Sequence, residues 1–171
     1  AGNVIGGGDW HASNLFASCV MALENNTPIQ IRNPSAIRPW QYVLDAVHGY
    51  LLLGSNMYEN PIKYSGAWNF GPTDNARVSV DSIVKKIINK WGSGSSEIII
   101  NDSNYHEAEL LRIDSTKART LLGWIPIYDI EKSIENTLLW YKNYNSSKKT
   151  DLCHNQINDF ISLIESFPKT V

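Results

Sequence analysis

The sequence has 171 residues, of which 43% are hydrophobic and 19% are charged, and its formal net charge is −2. This composition is typical of a folded, globular chain rather than a disordered one, and the length suits one ordinary domain with its own core. A net charge this small gives no sign of the extended positive surface that binds nucleic acid or an anionic membrane. Any anionic ligand must therefore be held by a few local cations and backbone N–H groups.

The first sixty residues alternate short apolar strands with helices. Glycines at 6–8 end the first strand, Ser13 or Asn14 is available as the N-cap of the first helix, and Asp45 is the expected N-cap of the second. The apolar side chains of the second helix that we expect to face the core are Val47, Tyr50, Leu51 and Leu53. The predicted elements are strands over 2–6, 29–31 and 40–43 and helices over 15–23 and 46–57.

The rest of the chain contains the clearest helix, whose apolar residues form one stripe from Val80 to Trp91. Ser79 is its predicted N-cap and Gly92 its C-terminal stop. The other predicted elements are strands over 67–70 and 97–101, a strand-like stretch over 110–113, a short helix from Asp114 or Ser115 to Leu122, and a longer helix capped by Asp129. After a polar linker, a last helix is expected to bury one face, formed by Cys153, Ile157, Phe160, Ile161 and Ile164.

Strands that alternate with helices predict an α/β chain with a small, partly parallel sheet. The strands are too few and too short for a full doubly wound domain. No apolar run reaches the ~18 residues of a membrane span, and no basic-then-apolar signal pattern opens the chain, so a cytoplasmic location is the default expectation. The chain has no initiator Met and begins inside an apolar strand, which indicates a piece of a longer polypeptide.

The cysteines and histidines show no metal or redox pattern. Cys19 and Cys153 lie far apart without a C-x-x-C partner, so both are expected to be buried free thiols. His11, His48 and His154 lack ligand spacing with Asp, Glu or Cys, so no metal is predicted. The sequence also contains no G-x-S-x-G elbow and no P-loop.

The glycine cluster at 6–8 does not have the G-x-G-x-x-G spacing, and no acidic residue ends a following strand, which disfavours a dinucleotide-binding loop. We favour a sharp turn that lets the backbone approach a ligand or another element. Asn3 is polar within an apolar strand. Its side chain is either bonded to neighbouring backbone or presented to a ligand at a strand end, and the residues alone leave both interpretations open.

Arg32 and Arg38 flank a proline-bearing turn beside an aromatic strand. Two guanidinium groups in this arrangement suit a phosphate or pyrophosphate, although two ordinary surface arginines are the simpler alternative. Trp40 is more typical of a core position than of a platform for a base. His106, which precedes Glu107, is either a contact to a ligand phosphate or a structural or exposed side chain.

Several segments, in order, resemble extended short-chain dehydrogenase/reductases that act on nucleotide sugars. These are the strand over 2–6, Arg38-Pro-Trp-Gln-Tyr-Val-Leu-Asp45, Trp68-Asn-Phe-Gly-Pro72, and the stretch from Asp114 to Leu122-Gly-Trp-Ile-Pro126. Residues 2–10 and 32–41 are similar in particular to the dehydratases that act on CDP-glucose. Most relatives have Gly-Pro after the Asn-containing strand and Arg-Asp in the second motif, where this chain has Gly-Gly and Arg-Pro.

The resemblance implies that this chain is the C-terminal, substrate-binding part of an extended short-chain dehydrogenase/reductase fold. Residues 1–145 would be the nucleotide-sugar-binding half with the last strand of the Rossmann-type core, and 146–171 a linker and C-terminal helix. The N-terminal half would carry NAD, the Tyr-x-x-x-Lys pair and the dehydrating carboxylate. The intact protein, a homo-oligomer, would convert CDP-glucose to CDP-4-dehydro-6-deoxyglucose and water through transient hydride transfer to NAD, and this chain alone would be inactive.

The resemblance also assigns roles to individual residues. Arg38 would grip the diphosphate, Asn3 would contact the substrate near it, and Gly2 would lie near the nicotinamide. Leu15 and the strand over 29–32 would flank the cytosine. The residues expected to bind substrate are Asn3, Leu15, Ile31, Arg32, Arg38 and His106. Two alternatives stay open: a nucleotide-sugar 4-epimerase of the same fold, and a non-catalytic nucleotide-sugar-binding module.

Overall fold

The computed structural model describes residues 1–73, 77–99, 108–146 and 148–166 of the chain. Short strands alternate with longer helices throughout these ranges. The elements in chain order are β1 (Asn3–Ile5), α1 (Leu15–Glu24), β2 (Ile29–Ile31), β3 (Ile37–Tyr42), α2 (Val43–Glu59), α3 (Pro61–Tyr64), β4 (Arg77–Ser79), α4 (Val80–Trp91), β5 (Ser96–Ile98), α5 (Thr116–Leu122), α6 (Ile130–Asn143) and α7 (Lys149–Ser166).

The strands form two small sheets. In the first, of order β1-β3-β4, β1 runs parallel to β3 with Asn3 opposite Trp40, and β4 runs antiparallel to β3 with Ser79 opposite Ile37. In the second, β2 and β5 are parallel with Ile29 opposite Ser96. The predicted α/β class with a small, partly parallel sheet is therefore confirmed.

The main core lies between the sheets and the apolar faces of α1, α4 and α6. Burying each large aliphatic or aromatic side chain contributes about 1.5–3 kcal/mol, so these faces supply most of the stabilisation that fixes the short strands. Trp40, expected to be a core residue, is buried here, and its Nε1 donates to the Val78 carbonyl at 3.1 Å. The cluster includes Ile5, Phe16, Val20, Ile31, Trp40, Ile83, Ile87, Ile134, Leu138 and Trp140.

Two predicted helix caps position α4 and α6 against this core. The Ser79 side chain accepts a hydrogen bond from the Ser82 N–H at 3.2 Å, and Gly92 ends α4 with a φ of 100°. Asp129 accepts from the Lys132 N–H at 2.8 Å at the start of α6. Each side chain satisfies a backbone donor that the first helical turn leaves without an intrahelical acceptor, which confirms both predictions.

The prediction for α2 was wrong in two respects. The helix begins at Val43, so Asp45 lies inside its first turn and is not the cap. The Asp45 carboxylate faces the interior, where it accepts hydrogen bonds from the N–H groups of Ile127 and Tyr128. Because Asp45 faces the interior, the buried face of the helix is the one formed by Asp45, Ala46 and Gly49. Of the four side chains expected to be internal, three are instead exposed, at 40% for Val47, 50% for Tyr50 and 69% for Leu51. Leu53 is half-buried and packs against the cluster of Phe70, Ala118 and Trp124, as expected.

Other elements differ from the sequence predictions because tertiary neighbours decide them. Residues 67–70 form no strand, since no described strand pairs with them, although Phe70 is buried against Trp124. Residues 110–113 contribute a single bridge, between Ile37 and Leu110. In α7 only Phe160 of the expected apolar face is buried, and Cys153 is exposed while Cys19 is buried. The strand expected over 97–101 is observed over 96–98, and its last two residues lie outside the described ranges.

None of the helices in the part of the chain that the structure describes is both long and apolar enough to cross a membrane.

Candidate functional site

An open cavity of about 810 Å³ lies where β1, β2, β3 and the start of α1 meet. Its walls are formed by β1 with the turn after it, by the first turn of α1, by the end of β2 with the residues after it, and by β3. Six of the residues predicted to contact substrate or cofactor line this cavity: Gly2, Asn3, Leu15, Ile31, Arg32 and Arg38. His106 lies outside the described residues.

Gly2 and Asn3 form the floor of the cavity and are fixed to β3. The Gly2 N–H donates to the Gln41 side-chain oxygen at 3.4 Å, and a Cβ on Gly2 would lie 2.2 Å from the Pro39 carbonyl oxygen. Any larger residue at position 2 would separate the two strands. Asn3 is half-buried at the start of β1, opposite Trp40, so its amide is held on a rigid element.

The glycine turn after β1 packs against protein on its inner side. A Cβ on Gly6 would lie 2.6 Å from the Val43 side chain, and one on Gly7 would lie 2.1 Å from the Trp140 ring. Gly8 has a φ of 86°, a conformation that favours glycine. The expected sharp turn that approaches another element is therefore confirmed.

The two arginines approach the cavity from different strands. Arg32 follows β2 and is exposed, and it forms no hydrogen bond or ion pair with the residues that the structure describes. Arg38 is half-buried on β3, and its Nη1 donates to the carbonyl oxygens of Ala108 at 2.7 Å and Ile37 at 3.1 Å. One guanidinium group is thus anchored to backbone while the other extends toward solvent at the rim.

The first turn of α1 faces the cavity without a side-chain cap. Asn14 occupies the N-cap position with extended backbone, but its side chain accepts no hydrogen bond from the helix. Its amide instead donates to Asp9 Oδ2 at 2.6 Å. The N–H groups of the first turn have no intrahelical acceptor and lie at the positive end of the helix dipole. The prediction that Ser13 or Asn14 caps α1 therefore holds for the position of Asn14 but not for its side chain.

Strand β2 presents one open backbone edge to the cavity. The Ile29 N–H donates to the Ser95 carbonyl at 2.9 Å, and the Ile31 carbonyl accepts from the Ile99 N–H at 3.0 Å. In a parallel ladder the residue between these two directs its own N–H and C=O to the opposite side. Gln30 therefore offers one backbone donor and one acceptor at the cavity, and no described residue is bonded to either.

The titratable groups near the site have structural roles. Asp9 is the one carboxylate in the described lining of the cavity. Burial raises the pKa of Tyr141 to about 12, so its hydroxyl remains protonated and donates to the Asp9 carbonyl. Asp45, whose pKa burial raises to about 6, lies outside the cavity. Within the described ranges, no group of three or more His, Cys, Asp or Glu side chains is arranged to hold a metal ion. The described lining of the cavity therefore combines Arg32 and Arg38 with one hydrogen-bonded carboxylate, that of Asp9.

Three features of the site were not predicted from the sequence. Asp9 was not singled out, although an acidic residue directly after a glycine turn is a recognisable signal for a local hydrogen-bonding role. The diversion of the Asn14 side chain to Asp9 depends on the folded turn. The open edge at Gln30 depends on which side of β2 pairs with β5, and no local pattern in the sequence indicates that choice.

Curated proteins match the sequence, while no protein-family model matches it. It is 37% identical over 163 residues to CDP-glucose 4,6-dehydratase from Salmonella typhimurium, a match that covers 95% of this chain and 45% of that protein. It is 24% identical over 105 residues to UDP-glucuronic acid decarboxylase 1 from Xenopus tropicalis, covering 61% of this chain and 23% of that protein. The chain therefore spans less than half the length of these two relatives.

Solved structures show the same fold at lower sequence identity. UDP-glucuronic acid 4-epimerase from Bacillus cereus, in complex with UDP-glucuronic acid and NAD, matches with a TM-score of 0.70 and 19% identity over 84% of this chain and 44% of that chain. dTDP-glucose 4,6-dehydratase from Bacillus anthracis, in complex with NAD, matches with a TM-score of 0.67 and 17% identity over 83% of this chain and 43% of that chain. The chain therefore has the fold of the substrate-binding part of extended short-chain dehydrogenase/reductases, and its similarity to the Salmonella protein fits the C-terminal half of that protein.

Proposed function

We propose that this chain is the nucleotide-sugar-binding half of an NAD-dependent dehydratase that converts CDP-D-glucose to CDP-4-dehydro-6-deoxy-D-glucose and water. The observation that carries the proposal is the convergence of Asn3, Leu15, Arg32 and Arg38 on one cavity. The similarity to the Salmonella CDP-glucose 4,6-dehydratase over nearly the whole chain supports the choice of reaction and nucleotide. The residues that would bind substrate are Asn3, Leu15, Ile31, Arg32, Arg38 and, on the resemblance alone, His106.

The diphosphate would lie between Arg38 and the first turn of α1 at Leu15. A guanidinium fork gives charge-assisted hydrogen bonds worth about 1.5–3 kcal/mol each, and uncapped N–H groups at a helix N-terminus favour a negative charge. Arg32, exposed at the rim and without a described partner, would add a second positive charge. These groups supply the local cations that a chain of net charge −2 requires for an anionic ligand.

The cytosine would lie against β2, with Ile31 and Leu15 on its faces. The open backbone edge at Gln30 provides one donor and one acceptor, which complements the acceptor and donor on the edge of a pyrimidine. The sugar would then lie over Gly2 and Asn3, where the backbone of β1 is held close to β3. Asn3 would orient the sugar through its side-chain amide.

NAD would be bound mainly by an N-terminal half that lies outside this chain. The glycine cluster at 6–8 does not have the G-x-G-x-x-G spacing of a dinucleotide-binding loop. When bound, NAD supplies a transient hydride acceptor. This chain would bind and orient the sugar, with Gly2 nearest the nicotinamide, and by itself it would form no product. The intact protein would be a cytoplasmic homo-oligomer.

A nucleotide-sugar 4-epimerase is the second candidate, favoured by the similarity of the fold to UDP-glucuronic acid 4-epimerase from Bacillus cereus. Such an enzyme would use the same diphosphate-binding cavity. A binding module without catalysis is the third candidate. The product formed by the intact protein distinguishes the three.

The test is product formation by the intact protein with NAD and, separately, CDP-, dTDP-, UDP- and GDP-linked glucose. We expect a 4-keto product from CDP-glucose alone. A 4-keto product from another nucleotide would contradict the proposed substrate, and a C4 epimer without a keto sugar would favour the epimerase. Binding of all four without turnover would favour the module. The isolated 171-residue chain, assayed in parallel, is expected to form no keto sugar.

A further inference from the structure

Asp9 is the residue on which the hydrogen bonds of the loop between β1 and α1 converge. Its carboxylate accepts from the His11 N–H at 2.9 Å and from the Asn14 side-chain amide at 2.6 Å. Its backbone carbonyl accepts from the hydroxyl of Tyr141 on α6. One half-buried residue thus links the turn after β1, the start of α1 and the core helix α6.

The loop that Asp9 organises forms one wall of the cavity. Asp9, Ala12, Ser13 and Asn14 all line it, and Leu15 begins α1 directly after them. The ring of Trp10 also holds the loop, because it packs edge-on against Tyr141 and Tyr144, while the side chains from His11 to Asn14 are exposed. The loop's other hydrogen bonds within the described residues are local: the Ser13 hydroxyl bonds with His11 Nδ1, the Asn14 N–H donates to the His11 carbonyl, and the Asn14 carbonyl accepts from the Ser18 N–H in α1.

The charge of Asp9 is opposite to what an anion-binding cavity requires. A carboxylate in this wall repels a diphosphate, so electrostatics alone makes Asp9 unfavourable for the ligand. Its two hydrogen bonds to N–H groups occupy both carboxylate oxygens and direct them into the loop. If repulsion dominates, removing the charge of Asp9 should raise the affinity for a diphosphate. If positioning of the loop dominates, the same change should lower that affinity.

We propose that Asp9 is a positioning residue, which holds the loop over 9–14 as a wall of the cavity and thereby raises the affinity for the nucleotide sugar. The proposal rests on the proposed function of the cavity. Asp9 acts through Asn14: the bond between them fixes the last residue of the loop and keeps its side chain away from the first turn of α1.

The experiment measures the Kd and KM of the intact enzyme for CDP-glucose after Asp9→Ala and Asp9→Asn, with Asp151→Asn as the control. Asp151 is an exposed carboxylate in the first turn of α7 and does not line the cavity. We expect Asp9→Ala to raise both constants by about tenfold with kcat unchanged within about twofold. Asp9→Asn retains one acceptor oxygen and is expected to have a smaller effect in the same direction. Unchanged or tighter binding by Asp9→Ala would overturn the proposal.

Asn14→Ala and the double variant Asp9→Ala/Asn14→Ala test the route through Asn14. If Asp9 acts through Asn14, either single variant and the double variant show about the same loss, because the same contact is removed each time. If the loss of affinity in the double variant equals the product of the two single-variant losses, the route through Asn14 is overturned. If Asp9→Ala does not fold, Asn14→Ala provides the test, because Asn14 is exposed and its substitution should not prevent folding. Normal affinity of Asn14→Ala for CDP-glucose would then refute the proposal. Failure of the unaltered enzyme to bind CDP-glucose would instead refute the proposed function.

Discussion

Gly7 lies directly against the indole ring of Trp140, so that a Cβ on Gly7 would be 2.1 Å from Cγ of that ring. The contact joins the turn after β1 to α6, which also contacts β3 and α4 in the core. Tyr141, the next residue of α6, donates to the Asp9 carbonyl in the same loop. The position of one cavity wall is therefore set by a helix that lies more than one hundred residues further along the chain.

This contact predicts that Gly7→Ala destabilises the protein by about 1–3 kcal/mol, the usual effect of overpacking a close contact. The control is Gly54→Ala in α2, where an added Cβ meets nothing within 4 Å. There we expect stabilisation of about 0.5–1 kcal/mol, because alanine favours the helix. Denaturant unfolding measures both changes. Equal effects of the two substitutions would show that Trp140 does not restrict the turn.

Arg38→Ala is expected to weaken CDP-glucose binding by the intact enzyme by about tenfold to hundredfold, the loss of one or two charge-assisted hydrogen bonds. Stability should fall by only about 1 kcal/mol, because the bonds of Arg38 to the Ala108 and Ile37 carbonyls lie near the surface. Arg112→Ala, an exposed arginine that does not line the cavity, is the control. Calorimetric titration gives the affinity, and unchanged Kd and KM would remove Arg38 from the diphosphate site.

Asp45 predicts a pH dependence of stability. Burial raises its pKa from 3.8 to about 6 in the folded protein, although the Ile127 and Tyr128 N–H groups oppose the shift. The folded state therefore binds a proton more tightly than the unfolded state. The contribution to stability is full below pH 3.8 and is lost as the pH rises through about 6.

The size of this loss follows from the shift, at 1.36 kcal/mol per pKa unit, and is about 3 kcal/mol. Asp45→Asn has no proton to lose and removes this contribution to the pH dependence. We therefore expect the free energy of unfolding of the unaltered protein to fall, relative to the variant, between pH 4 and pH 7. Denaturant titrations at several pH values measure it. Parallel pH profiles would show that Asp45 titrates normally in the folded state.

Sequence patterns predicted the helices that carry their own signals. Ser79, Gly92 and Asp129 each define a helix end through a bond or a backbone conformation local to that end, so neighbours in sequence are sufficient. The inward face of α2 was wrong because it depends on Asp45 bonding to Ile127 and Tyr128, over eighty residues away. No periodicity within the helix contains that information.

In the candidate site, too, residues could be predicted from the sequence while their contacts could not. Gly2, Asn3 and Arg38 were identified from a family resemblance, and the structure places all three at one cavity. Their juxtaposition follows from the parallel pairing of β1 with β3, which is a tertiary contact. Asp9 and Gln30 gained their significance only from the folded loop and from the side of β2 that pairs with β5. Residue types could thus be predicted, while the partners of each residue required the structure.

The outward face of α2 predicts the behaviour of the isolated chain. Val47 is 40% exposed and Leu51 is 69% exposed, and these residues lie one turn apart on the same side of the helix, beside Tyr50. A contiguous apolar surface of this kind promotes association in water. We expect the isolated chain to self-associate at micromolar concentration in light scattering, and Leu51→Glu to reduce that association.

Leu121→Glu on α5 is the matched control, because Leu121 is also exposed, at 54%, but lies on a different helix. It introduces the same charge and should leave the association unchanged, which separates an effect of the α2 face from an effect of net charge. In the intact enzyme, where we expect α2 to be covered, Leu51→Glu should instead lower stability, since it would bury an unpaired carboxylate. A monomeric isolated chain with a high Tm would contradict an exposed interaction surface on α2.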